Sequence, residues 1–247
     1  MPGLDWLTAR PIAHRGLHDA SAAIENTATA FTRAIAGGYG IECDLQVSAD
    51  GEAMVHHDDA LGRLTEGSGR LADLSAAEIK KARFKQTSDR ILTLAELCEL
   101  VAGRAMLVLE LKSHFDGDRR LVERAAVVLA NYQGPVAAMS FDPAMVELLR
   151  HFAPRLTRGI VAERHYAHHE WDRMPPAQKR RLAFLLHAPA TRPQFVAYGI
   201  RDLPALAPFV ARTVFGLPLL TWTVRSEADE AGAARWADQM IFEGFRP

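Results

Sequence analysis

The chain has 247 residues, 49% of them hydrophobic, and a formal net charge of −1. That length suits one α/β barrel or two small domains, and the near-zero charge excludes a general nucleic-acid binder while allowing a small anion held by local cations. The two cysteines, Cys43 and Cys98, exclude a disulfide framework, and no apolar run reaches the length of a signal-peptide core or a membrane span, so a soluble cytoplasmic protein without stable membrane insertion is expected.

The first strand-like run, Pro11-Ile12-Ala13, delivers His14 and Arg15 side by side and breaks at Gly16. A buried strand gains nothing from those two groups unless something pairs with them. The Ala-rich segment TATAFTRAIAGG follows as an amphipathic helix ending at Gly37-Gly38, with Asn26 or Thr27 as its cap. Next come YGIECDLQVS, a turn at Asp50-Gly51 and AMVHHD, which together read as a hairpin-like excursion. Residues 58–92 form a long polar insertion with one helical piece starting near Ser75.

Further strand-like runs are AMLVLELKS (105–113), PVAAMSF (135–141), TRGIVAE (157–163), QFVAYGI (194–200), LPLLTWTV (217–224) and QMIFEGF (239–245), and helical periodicity fills most gaps. Residues 163–181 read as a charged, His-rich connection. There His165, His168 and His169 sit in a solvated loop rather than a metal site, and Arg180-Arg181 lie on a solvated helix face. With AMVHHD set aside, eight strands alternate with helices over about 250 residues. This predicts a (β/α)8 TIM barrel, one domain over residues 1–247, with an insertion lobe after the second strand at about 58–92. The first strand is not followed by GxGxxG, which argues against an open doubly wound sheet.

In a barrel the C-terminal strand ends converge on one mouth. Glu42 and Asp44 are two residues apart and point to one strand face; Glu110 and Lys112 repeat that spacing. Three carboxylates at one apolar-walled mouth repel each other, and a hard divalent cation with oxygen ligands, Mg²⁺ or Ca²⁺, relieves this. A salt-bridged strand end accounts for either pair alone, whereas two pairs together with His14-Arg15 point to a site. Of His56 and His57 only one can face the mouth, as a general acid or base, and strand alternation leaves the choice open. Trp222 ends a strand and suits either a substrate wall or core packing.

In chain order, His14-Arg15-Gly16, Glu25-Asn26-Thr27, Ile41-Glu42-Cys43-Asp44, Asp50-Gly51, His57-Asp58, Leu61 to Thr65 and Glu110-Leu111-Lys112 follow one another, with Ser140-Phe141 and Trp222-Thr223-Val224 later. This series resembles the glycerophosphodiester phosphodiesterase family. The resemblance implies a TIM barrel with a small insertion after its second strand, and metal-dependent hydrolysis of a small glycerophosphodiester to glycerol 3-phosphate and an alcohol. It implies Glu42, Asp44 and Glu110 as ligands of one divalent cation, and His14 with His57 as the acid–base pair, which selects His57 over His56. Arg15 and Lys112 would hold phosphate oxygens. From the residues themselves, Trp222 is expected at the glycerol, Glu25 at the metal shell, and Gly16 where the backbone turns away to leave room for the phosphate.

The chain departs from the family pattern at Ile24 and Leu92, where prolines are usual, at Arg225, where the pattern has a neutral amide, and at Glu243, which stands where an Asp is usual. A lysophospholipase D-type activity on a lipid-bearing diester would need an apolar apron around the mouth, for which the polar 58–92 lobe offers no support. A catalytically silent phosphodiester- or metal-binding barrel is opposed by the presence of both histidines and all three carboxylates. Sequence leaves the oligomeric state open.

Overall fold

A computed structural model describes residues 3–19, 22–168, 171–172 and 174–247. The apolar runs become strands β1 (Ile12–Ala13), β2 (Gly40–Val47), β3 (Ala53–Val55), β4 (Leu107–Leu111), β5 (Val136–Ser140), β6 (Thr157–Ala162), β7 (Phe195–Gly199), β8 (Leu219–Val224) and β9 (Gln239–Phe242). Between them lie helices α1 (Asp5–Thr8), α2 (Ala28–Ala36), α3 (Ala76–Ile79), α4 (Leu94–Val101), α5 (Arg120–Leu129), α6 (Pro143–Phe152), α7 (Pro176–Ala183), α8 (Ala188–Thr191), α9 (Leu206–Thr213) and α10 (Glu227–Trp236).

β1, β2 and β4 through β9 pair in parallel, each with the next, and β9 returns to pair with β1, closing an eight-stranded barrel. β3 is the hairpin excursion, antiparallel to β2 across the Asp50-Gly51 turn. Alternation along each strand divides the core in two. Ile41, Cys43, Leu45, Leu107, Leu109 and Leu111 pack outward against the helices. Ile12, Val108, Met139, Val161, Phe195 and Ile241 fill the barrel, together with Leu7 of α1. Gly159 is required there, because a Cβ would lie 2.3 Å from the Phe195 ring.

Helix starts follow cap chemistry. Thr27 caps α2, Asp142 caps α6 ahead of Pro143, and Ser75 with Glu78 and Thr93 with Glu96 form reciprocal capping boxes at α3 and α4. The 58–92 lobe is polar outside but has a small core of its own. Leu71, Ile79, Phe84 and Ile91 bury against Met54 of β3 and Ile24. The lobe is therefore seated on the hairpin that carries His57.

The connection at 163–181 differs from its reading as a solvated loop. Tyr166 is fully buried, and Trp171 and Met174 pack with Phe115, Phe141 and Leu182 in the last turn of α7. His165 is exposed and pairs with Asp202, with Nδ1 2.6 Å from Oδ1. His168 lines the mouth. His169 lies outside the described residues. No helix among the described residues is long and apolar enough to cross a membrane.

Candidate active site at the barrel mouth

Parallel register assembles the acidic centre. β2 and β4 align Asp44 with Glu110, and Glu42 shares the inward face of β2. One ligand oxygen from each of Glu42, Asp44 and Glu110 lies within 4.8 Å of the others, and all three residues are buried. Burial, then repulsion from Asp44 and Glu110, pushes the Glu42 carboxyl well above its usual range. Burial would raise Asp44 as well, but Lys112 and Arg15 outweigh it and hold that carboxyl well below its usual range.

The cations are woven into the same cluster. Lys112 Nζ lies 2.6 Å from Glu110 Oε1 and 2.9 Å from Asp44 Oδ1, and these carboxylates raise the ammonium against the lowering effect of burial. The Arg15 amide donates to Glu42 Oε2 at 3.0 Å, and its guanidinium reaches Asp44 Oδ2 at 3.2 Å and Glu25 Oε1 at 2.8 Å. Glu42 Oε1 is buried without a hydrogen-bond partner. An all-oxygen donor set, with a desolvated carboxylate oxygen unsatisfied, fits a hard divalent cation such as Mg²⁺ or Ca²⁺.

Both histidines present the same arrangement. His14 Nδ1 lies 2.5 Å from Glu243 Oε2, and His57 Nδ1 lies 2.9 Å from Asp58 Oδ1. Against the raising effect of burial, hydrogen bonds from the histidines help hold Glu243 down to about 2 and Asp58 well below its usual range. Ionised carboxylates only accept, so each imidazole donates from Nδ1 and keeps Nε2 for exchange. Burial, supplemented by the Arg15 charge and opposed by the Glu243 hydrogen bond, pushes His14 down to about 4. His14 is thus neutral near pH 7.

Strand register explains the His14 contact. β1 aligns Ala13 with Phe242 of β9, so the next residues, His14 and Glu243, are neighbours. β8 aligns Val224 with Phe242, which places Arg225 on the other side of Glu243. Arg225 Nε lies 3.2 Å from Glu243 Oε1. The two departures from the family pattern at this rim are therefore partners of each other. His57 borders the cavity, whereas His56 is buried away from it.

The cavity holds about 380 Å³, with His14, Arg15, Glu42, His57, Glu110 and Lys112 among its lining residues. Trp222 also lines it, half-buried, with its ring 5.5 Å from that of Phe141. Glu25 stands outside the acidic triad; it ties Arg15 to Arg63 of the lobe, whose Nη2 lies 2.6 Å from Glu25 Oε1. Gly16 makes room for a helix rather than for a ligand. Its φ is +80°, and a Cβ would come within 2.9 Å of Ala30 in α2.

Asn26 is the residue of the acidic cluster that cap reasoning missed. Thr27 caps α2, while Asn26 Nδ2 donates to Asp44 Oδ2 at 2.8 Å and its Oδ1 accepts from the Asp44 amide at 3.3 Å. Two polar residues in succession before one cap were the available signal.

The model of the glycerophosphoryl diester phosphodiesterase family matches residues 14–245. A glycerophosphodiester phosphodiesterase of Caldanaerobacter subterraneus is 36% identical over 162 residues, 61% of this chain and 65% of that protein. Glycerophosphodiester phosphodiesterase 1 of Rattus norvegicus is 27% identical over 175 residues, 66% of this chain and 52% of that protein. The chain thus spans less than two thirds of the length of these curated relatives. Among solved structures, an Oleispira antarctica phosphodiesterase in complex with the product sn-glycerol-3-phosphate matches with TM-score 0.78 at 21% identity, covering 96% of this chain and 94% of that one. A Silicibacter pomeroyi glycerophosphoryl diester phosphodiesterase, titled putative, matches with TM-score 0.75 at 24% identity, covering 94% and 89%. These structural likenesses establish the shared barrel.

Proposed function

The chain belongs to the glycerophosphoryl diester phosphodiesterase family, and from that premise we propose that it hydrolyses a glycerophosphodiester to glycerol 3-phosphate and an alcohol. The observation that carries this reading is the pair of histidines on one cavity with the buried carboxylate triad, each with Nδ1 on an ionised carboxylate and Nε2 spare.

Glu42, Asp44 and Glu110 would hold one divalent cation, Mg²⁺ or Ca²⁺. When bound, the cation offsets the charge of the triad and stabilises negative charge on the phosphoryl oxygens. Arg15 and Lys112, already fixed by the triad carboxylates, present N–H groups to those oxygens. His14, neutral near pH 7, takes at Nε2 the proton of the substrate's own attacking glycerol hydroxyl, and water then opens the resulting cyclic phosphate to glycerol 3-phosphate with the proton roles reversed. His57 delivers a proton from Nε2 to the leaving oxygen, with Asp58 accepting from its Nδ1 and fixing the ring. Trp222 walls the glycerol side.

Glycerol 3-phosphate release from a panel of glycerophosphodiesters tests the reading. Activity is expected with Mg²⁺ or Ca²⁺ supplied, lost on exhaustive chelation with EDTA, and regained on adding the metal back. Metal binding without glycerol 3-phosphate release from any diester would overturn it in favour of a silent binding barrel.

A further inference from the structure

A second and larger space, about 960 Å³, adjoins the catalytic cavity and shares His57, Glu110, Lys112, Phe141 and Trp171 with it. The two spaces are neighbours, with His57 among the residues that line both. His14 borders the smaller space and is absent from the larger.

The walls of the larger space have opposite character. One is apolar: Phe115, Phe141, Trp171 and Met174 line it and pack with the buried Tyr166 and Leu182. Trp171 is held by ring contacts to Phe141 at 5.0 Å, Tyr166 at 5.3 Å and Phe115 at 6.3 Å, tilted or edge-on. The polar lining comes from the hairpin exit and the lobe, where charges are matched internally, and from His114, Asp116 and Gln178. Asp58 is paired with Arg63 and His57, and Asp59 lies 3.7 Å from Arg70. Gln46 donates to the His57 carbonyl at 2.8 Å, so it positions the histidine. The hairpin and lobe side therefore offers a charged alcohol little that is not already committed, and the ring wall is the apolar face with surface to cover.

Size points the same way. The 380 Å³ space suits a group the size of glycerol phosphate, while 960 Å³ lies near the upper end of pockets that enclose drug-sized ligands. A small polar alcohol would leave the ring wall wet, whereas a bulky apolar one removes it from water. We infer that the larger space is the leaving-alcohol chamber, and that it favours glycerophosphodiesters of alcohols with a large apolar body, an alkyl chain or aryl ring, over those of small polar alcohols. The inference rests on the hydrolysis proposed above and names the substrate class for it.

The test is a series of sn-glycerol 3-phosphate monoalkyl diesters, from methyl through butyl to octyl, assayed below their aggregation concentrations for glycerol 3-phosphate release. Primary alkanols leave with nearly equal intrinsic ease, so the series isolates contact with the chamber. A fully buried methylene is worth about fourfold; with partial coverage, kcat/KM is expected to rise roughly 10- to 100-fold from methyl to octyl. Phe115→Ala and Met174→Ala, which alter only the larger space, should each lower the octyl-to-methyl ratio by about three- to tenfold. Because each ratio is measured within one protein, a partly folded variant does not distort it. A flat series in the unmodified enzyme, or a choline diester turned over faster than the octyl one, would overturn the chamber assignment and leave hydrolysis standing. Release from no member, methyl included, would overturn hydrolysis itself.

Discussion

Arg225, Glu243 and His14 stand in a row on three neighbouring strand ends, and Arg63, Asp58 and His57 repeat the same cation–carboxylate–imidazole order from the hairpin exit and the lobe. The first row is produced by the register of a closed sheet: β8, β9 and β1 each contribute the residue after their last pair. The second depends on loop contacts, namely the Gln46 bond to the His57 carbonyl and the seating of the lobe on Met54. The same cation–carboxylate–imidazole arrangement is thus mounted once on the barrel and once on an appendage. Orientation errors in the first row require the barrel to open, whereas in the second they require only the lobe to shift.

Replacing the histidines is the largest break. His14→Ala and His57→Ala should each lower kcat by roughly 10²–10⁴ with the fold intact by circular dichroism, because each is the proton carrier in the proposed mechanism. His56→Ala should stay within about twofold; a greater loss there than at His57 would reverse the assignment of the second row. Removing the carboxylates is the next step down. Glu243→Gln and Asp58→Asn should each cost about 10- to 100-fold, the scale on which partners that orient a functional imidazole are felt. The rows should then separate: Glu243→Gln acts on kcat, while Asp58→Asn also frees Arg63 and should raise KM and proteolysis within 58–92. Identical kinetic and proteolytic profiles would remove the distinction between them.

How much of this was readable in advance follows from the range of the interactions. The eight strands, the caps at Ser75 and Thr27, and the shared face of Glu42 and Asp44 are local patterns, set by periods of two and 3.6 and by turn chemistry. The alignment of Asp44 with Glu110 needs only the next barrel strand. Glu243 and His14 are 229 residues apart in the chain, and their contact exists only once β9 closes on β1, so pattern reading could name Glu243 as a departure without finding its partners. The 163–181 connection misled for another reason. Its charged and His residues outnumber the three spaced apolar side chains, Tyr166, Trp171 and Met174, that the fold turns inward.

Burial of the first row has a consequence for stability. Burial is the main cause that pushes His14 and the core residue His187 down to about 4, while an unfolded histidine titrates near 6.5. Between these values the unfolded chain takes up protons that the folded chain refuses. The metal-free protein should therefore lose stability as pH falls from about 6.5 to about 4, with a slope of up to about 1.4 kcal/mol per pH unit for each histidine, and this contribution should be level above that range. Urea midpoints across pH 7.5 to 4.5 measure the slope. His14→Gln and His187→Gln should each make it shallower, and a slope unchanged in both variants would remove these two groups as its source.

The smallest expected effect lies at the outer ends of the rows. Arg225 is about half exposed and touches Glu243 at 3.2 and 3.4 Å. An ion pair of that kind contributes about 0.2–1 kcal/mol, so Arg225→Asn should lower kcat by no more than about fivefold. Arg63 is almost equally exposed but bonds two carboxylates, Asp58 and Glu25, and Glu25 in turn holds Arg15. Arg63→Ala should therefore cost more than Arg225→Asn, because it loosens both the imidazole partner and the guanidinium beside the triad. A double-mutant cycle separates transmission along the first row from a surface charge effect. If Arg225 acts through Glu243, Arg225→Asn should have no further effect in a Glu243→Gln background. Additive losses would show that the cation acts on the cavity directly and that the first row ends at Glu243.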